Sequence, residues 1–468
     1  MSLGRGAQAE YGVRVPTLID RDRLATLLDR ERRLFATDHP GSQAAYERAR
    51  RSLFGGVPMT WMNKAAGGFP LYVDTARGAA VRDIDAREYV DFSLGDTGAM
   101  AGHSPEATVR AIRRRTEELG GLTTMMPTED AAWVGEELGR RFGVPLWSFS
   151  LSATDANRWA LRLARAVTGR PRILVNSYCY HGTVDEVLVK VDADGRQVER
   201  EGNVGAPVDP TITTRVVEYN DLPALERELS FGDVACVLME PALTNVGIVL
   251  PEPGYLDGVR SLATAAGTLL INDETHTISA GPGGATRAWG LRPDMVTIGK
   301  TIGGGVPSGG YGMTGELAER IEAMPGLDLI DWGGVGGTLA GNPLSVAAVR
   351  ATLSEVLTDD AWTRMTELAS RFGDAVQAVI DKYDLPWTVS RLGARVEYRF
   401  CRPAPRTGGE SAAAQDDDLE DFLHVYLANR GVLMTPFHNM ALMCPATSEK
   451  DIDKHTEVFT AAVQELVG

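Results

Sequence analysis

The rhythm of apolar and polar positions changes several times along the chain. Residues 18–54 carry two helical patterns broken at Pro40 and rich in Arg, Asp and Glu, which reads as an N-terminal arm. Three short extended runs follow: LYVDTA from Leu71, AAVRDID from Ala79 and EYVDF from Glu88. Turn residues at Arg77-Gly78 and Asp85-Ala86-Arg87 separate them, so a small antiparallel meander is predicted. From about Gly102, apolar strands WSFS (147–150), RILVN (172–176), VACVLM (234–239), TLLIND (268–273) and MVTIG (295–299) alternate with helical patterns over 153–167, 221–230 and 255–266. Strands that do not alternate, with helices between them, predict a mostly parallel sheet covered on both faces. After Pro343 come two long helical patterns, one extended run WTVSRLGARVEYRF (387–400), a polar loop over 403–415 and an αβα tail. The expected division is an arm over 1–55, the first part of a small domain over 56–100, a large α/β domain over 101–350 and the rest of the small domain over 351–468.

Composition narrows the class. With 468 residues, 44% hydrophobic and 24% charged, the chain reads as an ordinary globular protein with ample core. A formal charge of −16 argues against nucleic acid or an anionic membrane as partner. Cys179, Cys236, Cys401 and Cys444 lie far apart without a CxxC pair, which suits reduced thiols rather than a disulfide frame or a zinc site. No apolar run approaches a membrane span, and the opening MSLGRGAQAE lacks a signal peptide's apolar core, so the expected location is the cytoplasm.

The candidate chemistry centres on DMVTIGKTIGGGVPSGGYG (294–312), where Lys300 ends an apolar strand ahead of a glycine-rich run. A phosphate loop of the Walker type needs glycine where Asp294 stands, and neither GGG nor GGVGG (333–337) matches a dinucleotide fingerprint. A lysine at a strand end that reaches water or a carboxylate is the bland reading. Asp273 changes the balance, because it ends the strand TLLIND. Ligands of parallel sheets bind at the carboxyl ends of strands, so both residues are expected to face one crevice. A lysine and a carboxylate in a desolvated site suit pyridoxal phosphate: the lysine forms the Schiff base and the acid keeps the pyridine nitrogen protonated. At an effective dielectric near 20, opposite charges about 4 Å apart gain roughly 4 kcal/mol, enough to hold that proton. The stretch SLSATDANRWALRLAR (150–165) offers a helix N-terminus for the phosphate, with Ser152, Ala153 and Thr154 at its start. Ser152 or Thr154 serving only as a helix cap is compatible with that role. Tyr180, in SYCYHGTVDE (177–186), is available as a flat partner for the ring, although a lone tyrosine there is more often core.

Together NDET with Asp273, the strand-end GK with Lys300, Tyr180-His181-Gly182 and GGTLAGNPLS (336–345) resemble the class III (subgroup II) aminotransferases, from about Gly55 to the C-terminus. MEPALTNVGIVLPEPGYLDGVR (239–260) and the GGGVPSGGYG run look most like glutamate-1-semialdehyde aminomutases and their transaminase relatives. The resemblance implies a fold type I transferase that uses pyridoxal 5′-phosphate, a homodimer with shared active sites, and Lys300 as Schiff-base lysine and proton carrier. It also implies Asp273 on the pyridine nitrogen, Tyr180 stacked on the ring, and Ser152, Ala153 and Thr154 at the phosphate. His181 and Thr275 would border the cofactor, Glu240 its phenolic oxygen side, and Thr338 the phosphate from the neighbouring subunit.

Departures from the family pattern are visible. The phosphate turn reads Ser-Ala-Thr-Asp-Ala (152–156), and Ala153 would be costly if the turn demanded a positive φ. Thr275 replaces an apolar residue over the ring, and His276 beside it is either a proton relay or a hydrogen-bonded structural histidine. On the substrate side, Met62 in GGVPMTWMNK (55–64) stands where related enzymes carry an arginine, so Trp61 and Met62 are expected to form an apolar wall. The segment PFHNMALM (436–443) holds no acid where the aminomutases use a glutamate, and there His438 and Asn439 are candidate pocket residues. Arg395, Arg399 or Lys64 could bind a substrate carboxylate; equally, Arg395, Glu397 and Arg399 could be the solvated face of an edge strand. The expected reaction is transamination between an amine or amino acid with an apolar part and a carbonyl acceptor, with an intramolecular aminomutase or a racemase as the alternative.

Overall fold

The computed structural model describes residues 19–205, 208–324 and 334–468. Residues 1–18, with the opening stretch and the start of the arm, and Gly333 of the GGVGG run lie outside the described residues. The arm's two helices are Arg21–Asp38 and Pro40–Ala49, broken where Pro40 begins the second.

A seven-stranded sheet forms the centre. Its order is Leu146–Ser150, Gly309–Met313, Met295–Gly299, Leu269–Asp273, Val234–Met239, Arg172–Asn176 and Thr214–Val217. All strands run parallel except Gly309–Met313, which is antiparallel to both neighbours. Every residue of Val234–Met239, Leu269–Asp273 and Met295–Gly299 is buried, as unalternating apolar strands between two helical layers require. The helices Ala153–Thr168, Leu222–Leu229 and Tyr255–Ala265 fall where the periodicity predicts them.

The glycine-rich run after Lys300 is itself part of this sheet, supplying the strand Gly309–Met313. Glycines occupy Gly309, Gly310 and Gly312 because neighbours press against that strand. A Cβ on Gly309 would lie 2.6 Å from Ser150 Oγ and 2.7 Å from the Ser152 carbonyl oxygen. Gly309→Ala is therefore expected to destabilise the fold by about 1–3 kcal/mol. It should also weaken cofactor binding by shifting the Ser152 turn, measured by denaturant unfolding with and without pyridoxal phosphate.

The meander forms as predicted, with Val73–Arg77, Ala80–Asp83 and Glu88–Asp91 paired antiparallel. Val432–Leu433 from the C-terminal region joins it in parallel. The run over 387–400 is a hairpin rather than one extended strand: Thr388–Leu392 and Arg395–Arg399 pair about Gly393, whose φ is +58°. The solvated-edge reading of Arg395, Glu397 and Arg399 is also corrected. Arg395–Arg399 is the central strand of a three-stranded sheet, paired on its far side with Met440–Leu442, and all five of its residues are buried. The helix Asp359–Lys382 covers this sheet, and the rings of Trp387, Tyr398, Phe400 and Phe459 pack together beside it.

Candidate active site

Asp273 ends one strand, Lys300 directly follows the parallel strand beside it, and both line one cleft of about 350 Å³. Leu151, the 152–154 turn, Tyr180, Thr275, His276 and the 305–308 loop complete its walls. The strand Leu269–Asp273 brings Asp273 to the cleft, where three donors hold its carboxylate. Oδ2 accepts from Asn157 Nδ2 at 2.8 Å and from His181 Nδ1 at 2.9 Å, and Oδ1 accepts from the Thr275 N–H at 3.0 Å. Burial alone would raise this carboxyl, but His181, Thr275 and Asn157 outweigh it and hold the carboxyl below the usual range. His181 is buried too; despite that, the neighbouring Cys179 and Asp273 raise it well above the ordinary imidazole value. The two side chains form a buried His181–Asp273 pair with Nδ1 2.9 Å from Oδ2.

Ser152 caps the helix Ala153–Thr168 by accepting from the Asp155 N–H, which leaves the N–H groups of Ala153 and Thr154 at the open helix end. Ala153 is the first helical residue and is not among the residues with positive φ, so the strain expected at this position does not arise. The left-handed position falls instead at Gly182, with φ of +80°, where a Cβ would lie 2.1 Å from Thr154 Oγ1. Tyr180, just before it, is half-exposed on the cleft wall. Glu240 is buried behind it, accepting from the Tyr180 N–H at 3.4 Å and from the Thr244 hydroxyl, and burial pushes its carboxyl up to about 6.

Lys300 has φ of +53°, a conformation costly for a non-glycine residue and typical of positions held for function. Its amine lies 2.9 Å from Asp96 Oδ2, 3.0 Å from the Asp96 carbonyl oxygen and 2.7 Å from His276 Nε2. Asp96 sits in a turn in which Leu94, Gly95, Asp96 and Thr97 all have positive φ. Burial works to raise Asp96, but the charge of Lys300 beside it outweighs burial, with Arg395 adding to it, and holds the carboxyl far below the usual carboxylate range. His276 is lowered well below its ordinary value, first by burial and then by the charge of Lys300.

Substrate-side candidates lie elsewhere. Trp61 and Met62 are exposed on the turn Thr60–Asn63, where Trp61 meets Phe437 edge-on at 5.8 Å, and neither lines the cleft. Lys64 Nζ stands over the same Phe437 ring at 5.5 Å. Arg395 is fully buried behind His276, with Nη1 3.2 Å from His276 Nδ1 and Nη2 donating to the Thr244 carbonyl at 3.2 Å. Asn439 is buried against Glu420 at 3.5 Å, and His438 Nδ1 lies 3.1 Å from Glu397. Thr338 is exposed and does not line the cleft of its own chain.

Asp96 and Asn157 escaped the sequence reading. Asp96 sits in a GDTG turn 204 positions from Lys300, and nothing local couples the two. Asn157 lies on the first turns of the helix after Ser152, and its only signal was being a polar residue on the helix face toward the strands.

The whole catalytic region falls within residues 61–463, which match the family model for aminotransferase class-III. The chain belongs to the class III aminotransferases. It is 34% identical to a glutamate-1-semialdehyde 2,1-aminomutase of Sorangium cellulosum, over 89% of this chain and 94% of that one. Among solved structures, a glutamate-1-semialdehyde aminomutase from Pseudomonas aeruginosa superposes with a TM-score of 0.93 at 49% identity, covering 96% of this chain and 99% of the other. An omega-transaminase from Sphaerobacter thermophilus gives a TM-score of 0.82 at 27% identity, covering 91% and 98%. The fold is that of the fold type I transferases, and the cofactor is pyridoxal 5′-phosphate.

The residues present fit that cofactor. The open helix end at Ala153 and Thr154 suits a phosphate dianion, and the Asp273 carboxylate, held ionised, suits a protonated pyridine nitrogen. The buried Thr275 hydroxyl, on the cleft wall, has no partner among the described residues and is available to the group that fills the cleft.

Proposed function

We propose that this class III aminotransferase relocates an amino group within one small molecule bearing both an amine and a carbonyl, as an aminomutase. The observation that carries this reading is the similarity, at 49% identity over nearly the whole of both chains, to the Pseudomonas aeruginosa aminomutase structure. Transamination between separate molecules, expected first from the sequence, is the second reading. It is favoured by Met62 in place of an arginine and by the lack of an acid over 436–443.

The bound cofactor supplies an electron sink for the carbon that carries the amine. The chain's own residues would do the rest. Lys300, free to reach from Asp96 and His276 into the cleft, would bond to the cofactor and later carry a proton between neighbouring carbons. Asp273, steadied by His181 and Asn157, would keep the pyridine nitrogen protonated. Tyr180 would cover one ring face, Ser152, Ala153 and Thr154 would hold the phosphate, and Glu240 and Thr275 would border the ring. The partner subunit's Thr338 would complete the phosphate site of a homodimer, a reading supported by the exposure of this residue away from its own cleft. Trp61, Met62 and Asn439 would belong to the substrate side. A cytoplasmic location is supported by four free, buried cysteines, and among the described residues no helix is long and apolar enough to cross a membrane.

The deciding test is a single turnover of the holoenzyme with amino aldehydes and with simple amines, followed by absorbance and product mass. An isomerised amine with an unchanged resting band is the expected result. Release of one carbonyl product per site, with loss of that band, would establish transamination instead.

A further inference from the structure

One residue holds the Lys300 amine twice. The amine donates to the Asp96 carboxylate at 2.9 Å and to the Asp96 carbonyl at 3.0 Å. The turn that carries Asp96 is fixed in place. Its residues Leu94, Gly95, Asp96 and Thr97 all have positive φ, a strain that persists only where the surroundings determine the backbone. Those surroundings are visible. Asp91 Oδ1 accepts from the N–H groups of Ser93 and Leu94 at 2.8 and 3.1 Å, and the Ala99 N–H donates to the Leu94 carbonyl at 2.8 Å. The Thr97 hydroxyl lies 2.9 Å from His276 Nδ1. Asp273, the carboxylate that lines the cleft, already has its oxygens held by Asn157, His181 and Thr275. The carboxylate paired with Lys300 is therefore Asp96.

This pairing and a bond to the cofactor exclude each other. An ammonium offers three hydrogens. A Schiff-base nitrogen carries at most one, so Lys300 must release at least one of its two bonds to Asp96 when it joins the aldehyde carbon. An incoming ammonium reverses the exchange. Its nitrogen bonds to that carbon, the bond from Lys300 to the carbon breaks, and the three hydrogens and the charge that arrived with the amine leave on Lys300. Asp96 is the carboxylate placed to receive that charge. We propose that Asp96 is a positioning residue that docks Lys300 whenever the lysine is not bonded to the cofactor, and so favours its displacement by a substrate amine. The inference rests on Lys300 being the lysine that bonds to the cofactor. A contact made in only one of two states shifts the equilibrium toward that state, here toward released lysine.

The test uses full-length holoenzyme and methylamine, which is small enough to enter the cleft. Protein and amine are mixed over a range of concentrations and quenched with borohydride before turnover. Peptide mapping then gives the share of cofactor fixed on Lys300, and the remainder is recovered as the methylamine adduct. In Asp96→Asn the methylamine concentration that displaces half of the lysine is expected to rise about tenfold. The two side chains are 29% and 21% exposed, so screening keeps the effect below that of a fully buried pair. Asp96→Gly, which accepts the positive φ without strain, should give a rise in the same direction even if Asp96→Asn does not fold. Asp96→Glu, which keeps the charge, should restore part of the wild-type value. A structural role alone would lower unfolding stability and leave the partition in place. An unchanged or lowered half-displacement concentration in a folded Asp96→Asn or Asp96→Gly variant overturns the proposal and leaves the role of Lys300 intact. A wild-type cofactor adduct on a different lysine overturns both.

Discussion

Lys300→Ala should abolish turnover, by about 10⁴-fold or more, while leaving a folded protein that still binds pyridoxal phosphate without a covalent bond. The expectation follows from geometry. Lys300 is the lysine that lines the cleft; it follows the strand next to the one that ends in Asp273, and its backbone is held in a left-handed conformation. The Ser152 turn and Asp273 do not depend on its side chain, so the cofactor should keep its phosphate and pyridine contacts. The check is borohydride reduction followed by dialysis: wild-type protein retains the cofactor and the variant loses it. Retained activity in the variant would sink the functional reading as a whole.

Asp273→Asn is the second large effect, on both rate and stability. The rate should fall about 10²- to 10³-fold, the scale seen when one preorganised electrostatic contact is lost. Stability of the apoprotein should fall by about 3–5 kcal/mol, because the change leaves the buried His181 without its anionic partner. The pH dependence has a defined sign. Asp273 is lowered in the folded state, so its contribution is full above its unfolded value near 3.9 and is lost as pH falls toward the folded one. His181 is raised, so its contribution is full below about 6.5 and is lost as pH rises through its folded value. The gap between wild type and variant should therefore be widest between about pH 4 and 6.5, as measured by urea unfolding across that range. A gap that grows above pH 7 would mean that His181 is neutral in the folded protein.

Each of these effects depends on contacts between residues remote in sequence, and the sequence disclosed them unevenly. Apolar runs without alternation determined the parallel strands, because a strand buried on both faces has no polar side to show. Strand ends determined where Asp273 and Lys300 would stand, because a parallel sheet presents its carboxyl ends to one crevice. The Ser152 cap announced the helix start that faces the cleft. The glycines of 309–312 were ambiguous, since a loop and a crowded strand both call for a residue without a side chain, and only the neighbouring Ser150 and Trp147 show which applies. The alternation of Arg395, Glu397 and Arg399 was ambiguous for a related reason: a polar face can meet water or buried partners, and pairing with Met440–Leu442 decided for the interior. Asp96 was invisible, because a carboxylate in a turn carries no mark of the lysine it will meet. Local pattern, then, determined the elements and the ends that bear the chemistry. Tertiary packing decided the partners of each charge, since hydrogen bonds and burial across hundreds of positions exist only once the chain has closed on itself.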